Sequence, residues 1–493
     1  MKKLHFIKNV LFSAGFFILF FAFELFTACE LFTGTTSLSY GGKTFIEADN
    51  EELPSSKERL WTIFVYMCAD NNLESAAIND IYEMEASTLD TEQVEVIFLL
   101  DRSPAYNNSN SNWSGTKMFR LKSGRGEADT AIISEEIACR ELGLTLQNEA
   151  ELDMADADTL SNGLSFCIKH FPASHYGLIM WGHGSGWRSS QPGDVSSAGG
   201  AESSEAESSG AESGEADLYK GFAYDESSSD YLTLKQFASA LKSGLDSLKL
   251  DFIAFDTCYG AELEVLYEIK DYALLALGSE GLISSKGWNY QLLFSDFNAS
   301  PLKSLQDFSD LALLQFKKEF SITSRSSFAV CDLSKCSDYF TAFDSFMKAS
   351  ADEIKTVEIR DSVLECIYSG QNCNTEIYSY GKEGYDVYLD TWSLCENLNT
   401  FFNNSSLSIL YEAFMKSKSS FIISSWASDR DEGGLGVYFQ TLTTGGLLKT
   451  SFDSNYVKDK TYNQILFVSE SDGYVPGSKN GDSFLDKLFN CEF

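Results

Sequence analysis

A chain of 493 residues, 44% of them hydrophobic and 14% aromatic, holds material for two or three domains and a sizeable core. Its 72 acidic against 37 basic residues give a formal net charge of -35, which excludes a surface built to hold nucleic acid through its phosphates. Such acidity instead draws cationic partners through a field that physiological salt screens beyond ~8 Å.

Lys2, Lys3 and Lys8 form a positive start, Val10 to Phe23 is an apolar run, and small Thr27 and Ala28 precede Cys29. This is the pattern of a secretory signal peptide over residues 1–28. Glu24 ends the run short of the ~20 apolar residues that a retained membrane helix needs. Leu25 to Cys29 further resembles a bacterial lipobox, with Phe26 where leucine is commoner, so Cys29 is the expected site of lipidation. The mature protein is therefore expected in a bacterial cell envelope, tethered to a membrane by its lipid on the periplasmic or surface face. Residues 29–57 are polar and aperiodic and suit a tether.

Eleven cysteines in an exported chain invite a disulfide reading. Cys68, Cys139, Cys167, Cys331 and Cys395 are scattered through apolar segments without a C-x-x-C pair, so buried free thiols are expected for most. Four histidines, none paired at ligand spacing, give no zinc site.

A β-branched and aromatic run, Trp61 to Met67, predicts a first strand. Asn71 and Glu74 have capping-box spacing, and Leu73, Ala77, Ile81 and Met84 recur at helical spacing behind them. Asp70 reads as a turn or capping residue rather than a catalytic one. Val94 to Leu100 predicts a second strand, and the Asn- and Ser-rich residues 103–116 a loop. Met118 to Leu121 is a further short strand, and Asp158 to His170 an amphipathic helix. His170 and His175 flank the next turn in structural roles.

Tyr176 to Trp181 is an apolar strand that runs into Gly182-His183-Gly184-Ser185-Gly186. Residues 189–219 are acidic, of low complexity and nearly free of large apolar groups, so they are expected to form a disordered loop. Arg188 and Lys220 stand at its two ends. Leu232 to Leu245 is a helix, and then comes the buried strand that begins at Asp251 and ends at Asp256, Cys258 and Gly260. Glu262 to Ile269 is helical, Ala273 to Gly278 a strand, Pro301 to Phe320 a helix and Ser327 to Asp332 another strand. From about residue 341 to 493 the pattern changes to helices at Tyr339 to Lys355 and Thr391 to Asn399 with strands at Phe421 to Ser425 and Gly436 to Gln440. Residues 58–340 thus form an α/β domain with a mostly parallel sheet flanked by helices, and 341–493 an additional C-terminal α/β region.

One strand delivers an imidazole and its neighbour a thiol, and chemistry sits at that end of parallel strands. Either residue alone reads as structural, the cysteine as an inert core thiol and the histidine as a loop residue. Together they form the pair in which a base raises the thiolate fraction of a nucleophile.

Trp-Gly-His-Gly-Ser-Gly-Trp at 181–187 and Asp-Thr-Cys-Tyr-Gly-Ala at 256–261 resemble the His and Cys motifs of the clostripain family of cysteine peptidases. The resemblance extends to residues 61–74, 278–290 and 434–439, in the family's order. It implies the caspase-like fold and an endopeptidase that cuts after Arg or Lys of protein or peptide substrates. In that reading Cys258 attacks the carbonyl, His183 handles the protons, and the N–H groups of Gly184 and Cys258 hold the oxyanion.

The resemblance also implies a cut between the two motifs, at Lys220 or Arg188, with Lys220 favoured because Arg188 lies close to His183. Asp256 would line the pocket for the basic side chain, sharing a face with Cys258 ~7 Å away if the strand persists that far. Lys286 departs from the pattern, standing where the family places an acid. Calcium is the cofactor the family raises, yet no EF-hand loop occurs here. A surface-anchored binding lipoprotein of the same fold and a cysteine hydrolase or transpeptidase for another acyl bond are the rival readings.

Overall fold

The computed structural model describes residues 37–40, 43–46, 59–146, 150–187, 221–299, 305–320, 326–369, 377–379, 387–428, 434–439, 443–444, 447–448, 465–475 and 482–489. In chain order the strands are β1 (Ser37–Tyr40), β2 (Lys43–Ile46), β3 (Arg59–Ala69), β4 (Val94–Arg102), β5 (Gly115–Arg120), β6 (Glu135–Ile137) and β7 (Ala173–Trp181). After them come β8 (Phe222–Asp225), β9 (Asp230–Leu232), β10 (Leu250–Asp256), β11 (Ala273–Gly278), β12 (Ser327–Asp332), β13 (Ile377–Ser379), β14 (Val387–Asp390), β15 (Ile422–Ala427) and β16 (Gly436–Phe439).

Among the described residues eleven strands make one sheet in the order β1-β2-β6-β5-β4-β3-β7-β10-β11-β12-β15. The five central strands, from β4 to β11, all run parallel. Antiparallel partners close them on either side, β5 against β4 and β12 against β11. This is the mixed, mostly parallel sheet that the alternating pattern predicted.

Period-two alternation divides β3 between two cores: Phe64, Tyr66 and Cys68 face one, and Ile63, Val65 and Met67 the other. The first core is covered by helices Ala157–His170, Leu234–Leu245, Leu263–Ile269 and Cys336–Glu353. Helices Glu74–Ala86, Tyr290–Ala299 and Leu305–Phe320 cover the second. Thr233 and Gln236 form a reciprocal capping box that starts Leu234–Leu245.

The capping box expected at Asn71 and Glu74 does not form. Leu73 is the N-cap without a side-chain cap, and Asn71 Oδ1 instead accepts from Leu73 N at 3.0 Å. Glu74 is drawn away by Arg102, whose Nε lies 2.7 Å from Glu74 Oε1 with both side chains fully buried. Removing one partner of such a pair strands a buried charge and costs ~3–5 kcal/mol.

Residues beyond 340 are built onto the same frame. β15 pairs with β12 at the sheet edge, and Phe343, Phe414 and Phe421 belong to the first core. A small antiparallel sheet, β13-β14-β16, stands beside it. From β14, Tyr388 OH donates to Ser185 O at 2.8 Å, so this region braces the histidine loop. No described helix is long and apolar enough to cross a membrane.

Candidate active site

The parallel strands all end on one side of the sheet, and the candidate residues gather there. β7 and β10 are paired in register to Trp181 and Asp256, so His183 and Cys258 each stand two residues past a matched strand end. Gly184 lets the two loops close: a Cβ there would lie 2.4 Å from Cys258 O and 2.7 Å from Thr257 Oγ1. Any side chain at this position would force the loops apart.

His183 Nε2 lies 2.7 Å from Asn72 Oδ1, in the turn that follows β3. An amide oxygen only accepts, so Nε2 carries the proton of the neutral ring and Nδ1 keeps the lone pair. Burial pushes the imidazole down to about 4, so at neutral pH it is an uncharged base.

Cys258 sits in a turn built on strain. Tyr259, the next residue, has φ +54°, in the left-handed region that L side chains avoid at a cost of ~1–2 kcal/mol. Its N–H donates to Gly281 O at 3.0 Å, which holds the turn against the loop after β11. The same loop reaches the sulfur, because Ile283 N–H donates to Cys258 Sγ at 3.3 Å. Burial pushes the thiol up to about 11; the Ile283 N–H opposes this and the charge of Asp256 adds to it. The resting pair is therefore a thiol and a neutral imidazole.

β10 ends at Asp256, so the shared face expected for Asp256 and Cys258 is not formed. Cys258 packs against the first core, whereas Asp256 turns toward Trp288 and Tyr290 of the second. Asp256 Oδ2 accepts from Tyr290 OH at 2.8 Å and Trp288 N at 3.3 Å, while its buried Oδ1 accepts nothing. Burial raises this carboxyl to about 7. Burial also raises Asp80 well above the carboxylate range, and the charge of Asp256 adds to the effect. Gly287, at φ +64°, separates the two acids, since a Cβ there would lie 2.8 Å from Asp80 Oδ2 and 3.1 Å from Asp256 Oδ2.

Beside Asp80 opens a cavity of about 560 Å³ whose walls include Asp80, Glu83, Trp288 and Glu319, with Lys286 exposed at its rim. Three of those residues are acids, which suits a cationic guest. Sequence reasoning missed Asn72, Asp80, Glu83 and Glu319. Asn72 lies inside the 61–74 motif, but nothing there distinguishes it from its neighbours.

The model of the clostripain family matches residues 65–200 and 209–470. The chain belongs to the clostripain family. It is accordingly a cysteine peptidase. Clostripain of Hathewaya histolytica is 26% identical over 385 residues, covering 71% of this chain and 68% of that protein. A secreted C11 cysteine protease from Bacteroides thetaiotaomicron, solved with an irreversible peptide inhibitor, is 19% identical with a TM-score of 0.55, over 84% of this chain and 99% of its own. An inactive zymogen C11 protease from Parabacteroides distasonis matches equally well, with 19% identity, a TM-score of 0.55 and coverage of 85% and 99%. These two structures show the shared caspase-like fold.

In this clostripain-family chain the other two internal histidines stand apart from the site. His175, near the start of β7, pairs through Nδ1 with Asp251 Oδ1 at 2.9 Å and stacks on Trp61 at 4.6 Å. His170 lies 3.4 Å from Glu141 Oε1 at a helix end. Cys68, Cys139, Cys167, Cys331 and Cys395 are buried free thiols, and Cys366 is disulfide-bonded. Cys29, Arg188 and Lys220 lie outside the described residues. The described residues on either side of 188–220 meet, because Ser185 N donates to Gly221 O at 3.0 Å.

A second acidic group adjoins the histidine side of the site. Asp70, Asp101, Glu151 and Asp225 each place one carboxylate oxygen within 4.8 Å of the others. Burial and mutual repulsion raise Asp101 well above the usual range and bring Glu151 to about 7.

Proposed function

We propose that the chain is an exported endopeptidase that cuts after Arg or Lys, with Cys258 as nucleophile and His183 as its base. The observation that carries this reading is the loop after β11, which touches the Cys258 sulfur at Ile283 and walls the acidic cavity with Trp288 three residues past Ser285. A side chain held in that cavity would bring its own carbonyl to the thiol.

His183 Nδ1 takes the thiol proton as Sγ bonds to the carbonyl carbon, and the N–H groups of Gly184 and Cys258 hold the resulting oxyanion. One such donor lowers the barrier by ~3–4 kcal/mol. Collapse breaks the C–N bond, and the leaving amine takes the proton from His183. A water molecule then gives its proton to His183 and adds to the thioester, which releases the acid and restores the thiol. Asp80, Glu83 and Glu319 stand in the wall of the pocket, and Asp256 is buried behind it, across Gly287 from Asp80.

Export rests on the basic and apolar start, with lipidation at Cys29. The tied ends of the acidic insert suit a cut at Lys220, or at Arg188, made by the enzyme itself. The two chains so formed would remain together, and Cys258→Ala protein would stay a single chain.

The deciding experiment is labelling by a thiol-reactive peptide ketone ending in Arg. It should modify wild type at Cys258 far faster than an analogue ending in Asp. Equal labelling by both would remove the specificity, and no labelling by either would remove the mechanism.

A further inference from the structure

Glu262 follows the Cys258 turn and is the N-cap of helix Leu263–Ile269, yet its side chain caps nothing. It is fully buried, and neither of its carboxylate oxygens accepts a hydrogen bond. Other buried acids of this fold have a donor: Glu74 meets Arg102, Glu85 meets Arg125, and Glu264 accepts from Tyr438 N. Among the described residues no cation pairs with Glu262, and its charged neighbours are the acids Glu264, Glu280 and Asp390. Backbone donors serve the last two: Gly434 N donates to Glu280 Oε1 at 3.1 Å, and Ser393 N to Asp390 Oδ1 at 2.7 Å.

An ionised carboxylate can only accept, so at Glu262 it would be a buried charge with neither donor nor cation. The neutral acid has an O–H to give. Burial and the like charges of Glu264, Glu280 and Asp390 accordingly raise Glu262 well above the usual carboxylate range.

Three parts of the fold close over this side chain. A Cβ on Gly436 of β16 would overlap Glu262 Oε2, and one on Gly186 of the histidine loop would lie 3.1 Å from Glu262 Cγ. Gly436 N donates to Ala261 O at 3.0 Å, which fastens β16 to the end of the Cys258 turn. β16 pairs with β14, from which Tyr388 OH reaches Ser185 O. Tyr388, Tyr438, His183 and Cys258 are the other titratable groups on the elements that meet there.

We propose that Glu262 is a positioning residue that works as the neutral acid, filling the junction between the Cys258 turn, the histidine loop and β16. This rests on the reading of Cys258 and His183 as the reacting pair. Loss of the proton puts a charge under Gly436 that only water can relieve, and water enters only if β16 lifts. Lifting frees Ala261 O and, through β14, draws Tyr388 away from the histidine loop.

The first arm of the test follows kcat and KM of the full-length enzyme on an Arg amide substrate against pH. Wild-type kcat should fall on the alkaline side with KM little changed. Glu262→Gln, which cannot ionise, should keep kcat within ~3-fold of wild type below that fall and abolish the fall itself. Glu262→Ala removes the side chain as well as the proton and should lower kcat ~10- to 100-fold at every pH. The second arm uses Cys258→Ala protein, so it does not depend on catalysis. Hydrogen exchange over Gly434–Phe439, corrected for its intrinsic dependence on pH, should quicken at least ~10-fold on the alkaline side and stay slow once Glu262→Gln is added. An alkaline fall that is absent from wild type or persists in Glu262→Gln would overturn the proposal. Exchange that Glu262→Gln leaves unchanged would overturn it too, whether or not the enzyme cuts after Arg.

Discussion

The amide oxygen of Asn72 and Nε2 of His183 stand 2.7 Å apart, and this contact decides which ring nitrogen is free to accept a proton. In the proposed mechanism Asn72 is thus a positioning residue. Asn72→Ala should lower kcat ~10- to 100-fold with little change in KM. Asn72→Asp should recover part of the rate while moving the acid limb of kcat to higher pH, since a carboxylate favours the charged imidazole. A pH profile of both variants checks this, and an unmoved limb in Asn72→Asp would count against the contact.

The site predicts two different pH dependences. With the thiol pushed up to about 11, alkylation of Cys258 by neutral iodoacetamide should keep accelerating above pH 8 rather than level off near neutrality. Cleavage after Arg or Lys should instead fall as pH drops through about 7, where Asp256 gains a proton and loses its charge. That limb should be absent from Asp256→Asn, measured with the same Arg amide substrate.

Specificity should follow the carboxylates under and around the cavity. Asp256→Asn is expected to cost more than ~10-fold in kcat/KM on Arg substrates, as does loss of a paired buried charge elsewhere. Asp80→Asn should act in the same direction, whereas Lys286→Asp should improve cationic substrates. Gly287→Ala meets both a positive φ and the Asp80 carboxylate 2.8 Å away, so it should impair binding more than a substitution at the rim. A substrate library scan on each variant reads these effects.

Buried acids also set the stability. Glu264 is fully buried, accepts from Tyr438 N at 2.9 Å through Oε1, and is raised by burial to about 8. Its folded value lies above the unfolded one of ~4.3, so the folded state holds the proton more tightly. The stability this gives is complete below pH ~4 and is lost as pH rises through about 8. Asp256 acts the same way up to about 7, while His183, lowered to about 4, opposes both only between there and ~6.5. Urea denaturation of Cys258→Ala protein should therefore show greater stability at pH 5 than at pH 8. Glu264→Gln keeps the acceptor but cannot ionise, so it should flatten that difference.

The parts legible in the sequence were those governed by local pattern. Apolar runs marked β3, β7 and β10 because their side chains are buried on both faces, and glycines around His183 marked a tight loop at the end of β7. Long-range contacts were not legible. Glu74 has capping-box spacing, but Arg102, 28 residues on, takes its carboxylate. Asp256 and Cys258 diverge because β10 ends at Asp256, a boundary that the residues from Asp256 to Cys258 do not mark. Helix Tyr290–Ala299 carries no acidic residue in its first turn and no basic one in its last, so its ends are unmarked. Asp80 and Glu83 read as the polar side of an amphipathic helix, and only the turn at Ser285 to Asn289 makes them the wall of a cavity.

β7 belongs to the stretch before the acidic insert and β10 to the stretch after it, yet they are adjacent in the middle of the sheet. A cut within the insert would leave this contact in place and change its kind, from an intramolecular pairing to one between two polypeptides. Refolding would then depend on concentration, because the halves must find each other again. The uncut chain can recover from a global unfolding event on its own. The cut enzyme at low concentration cannot, so its working life is set by its unfolding rate rather than by its equilibrium stability.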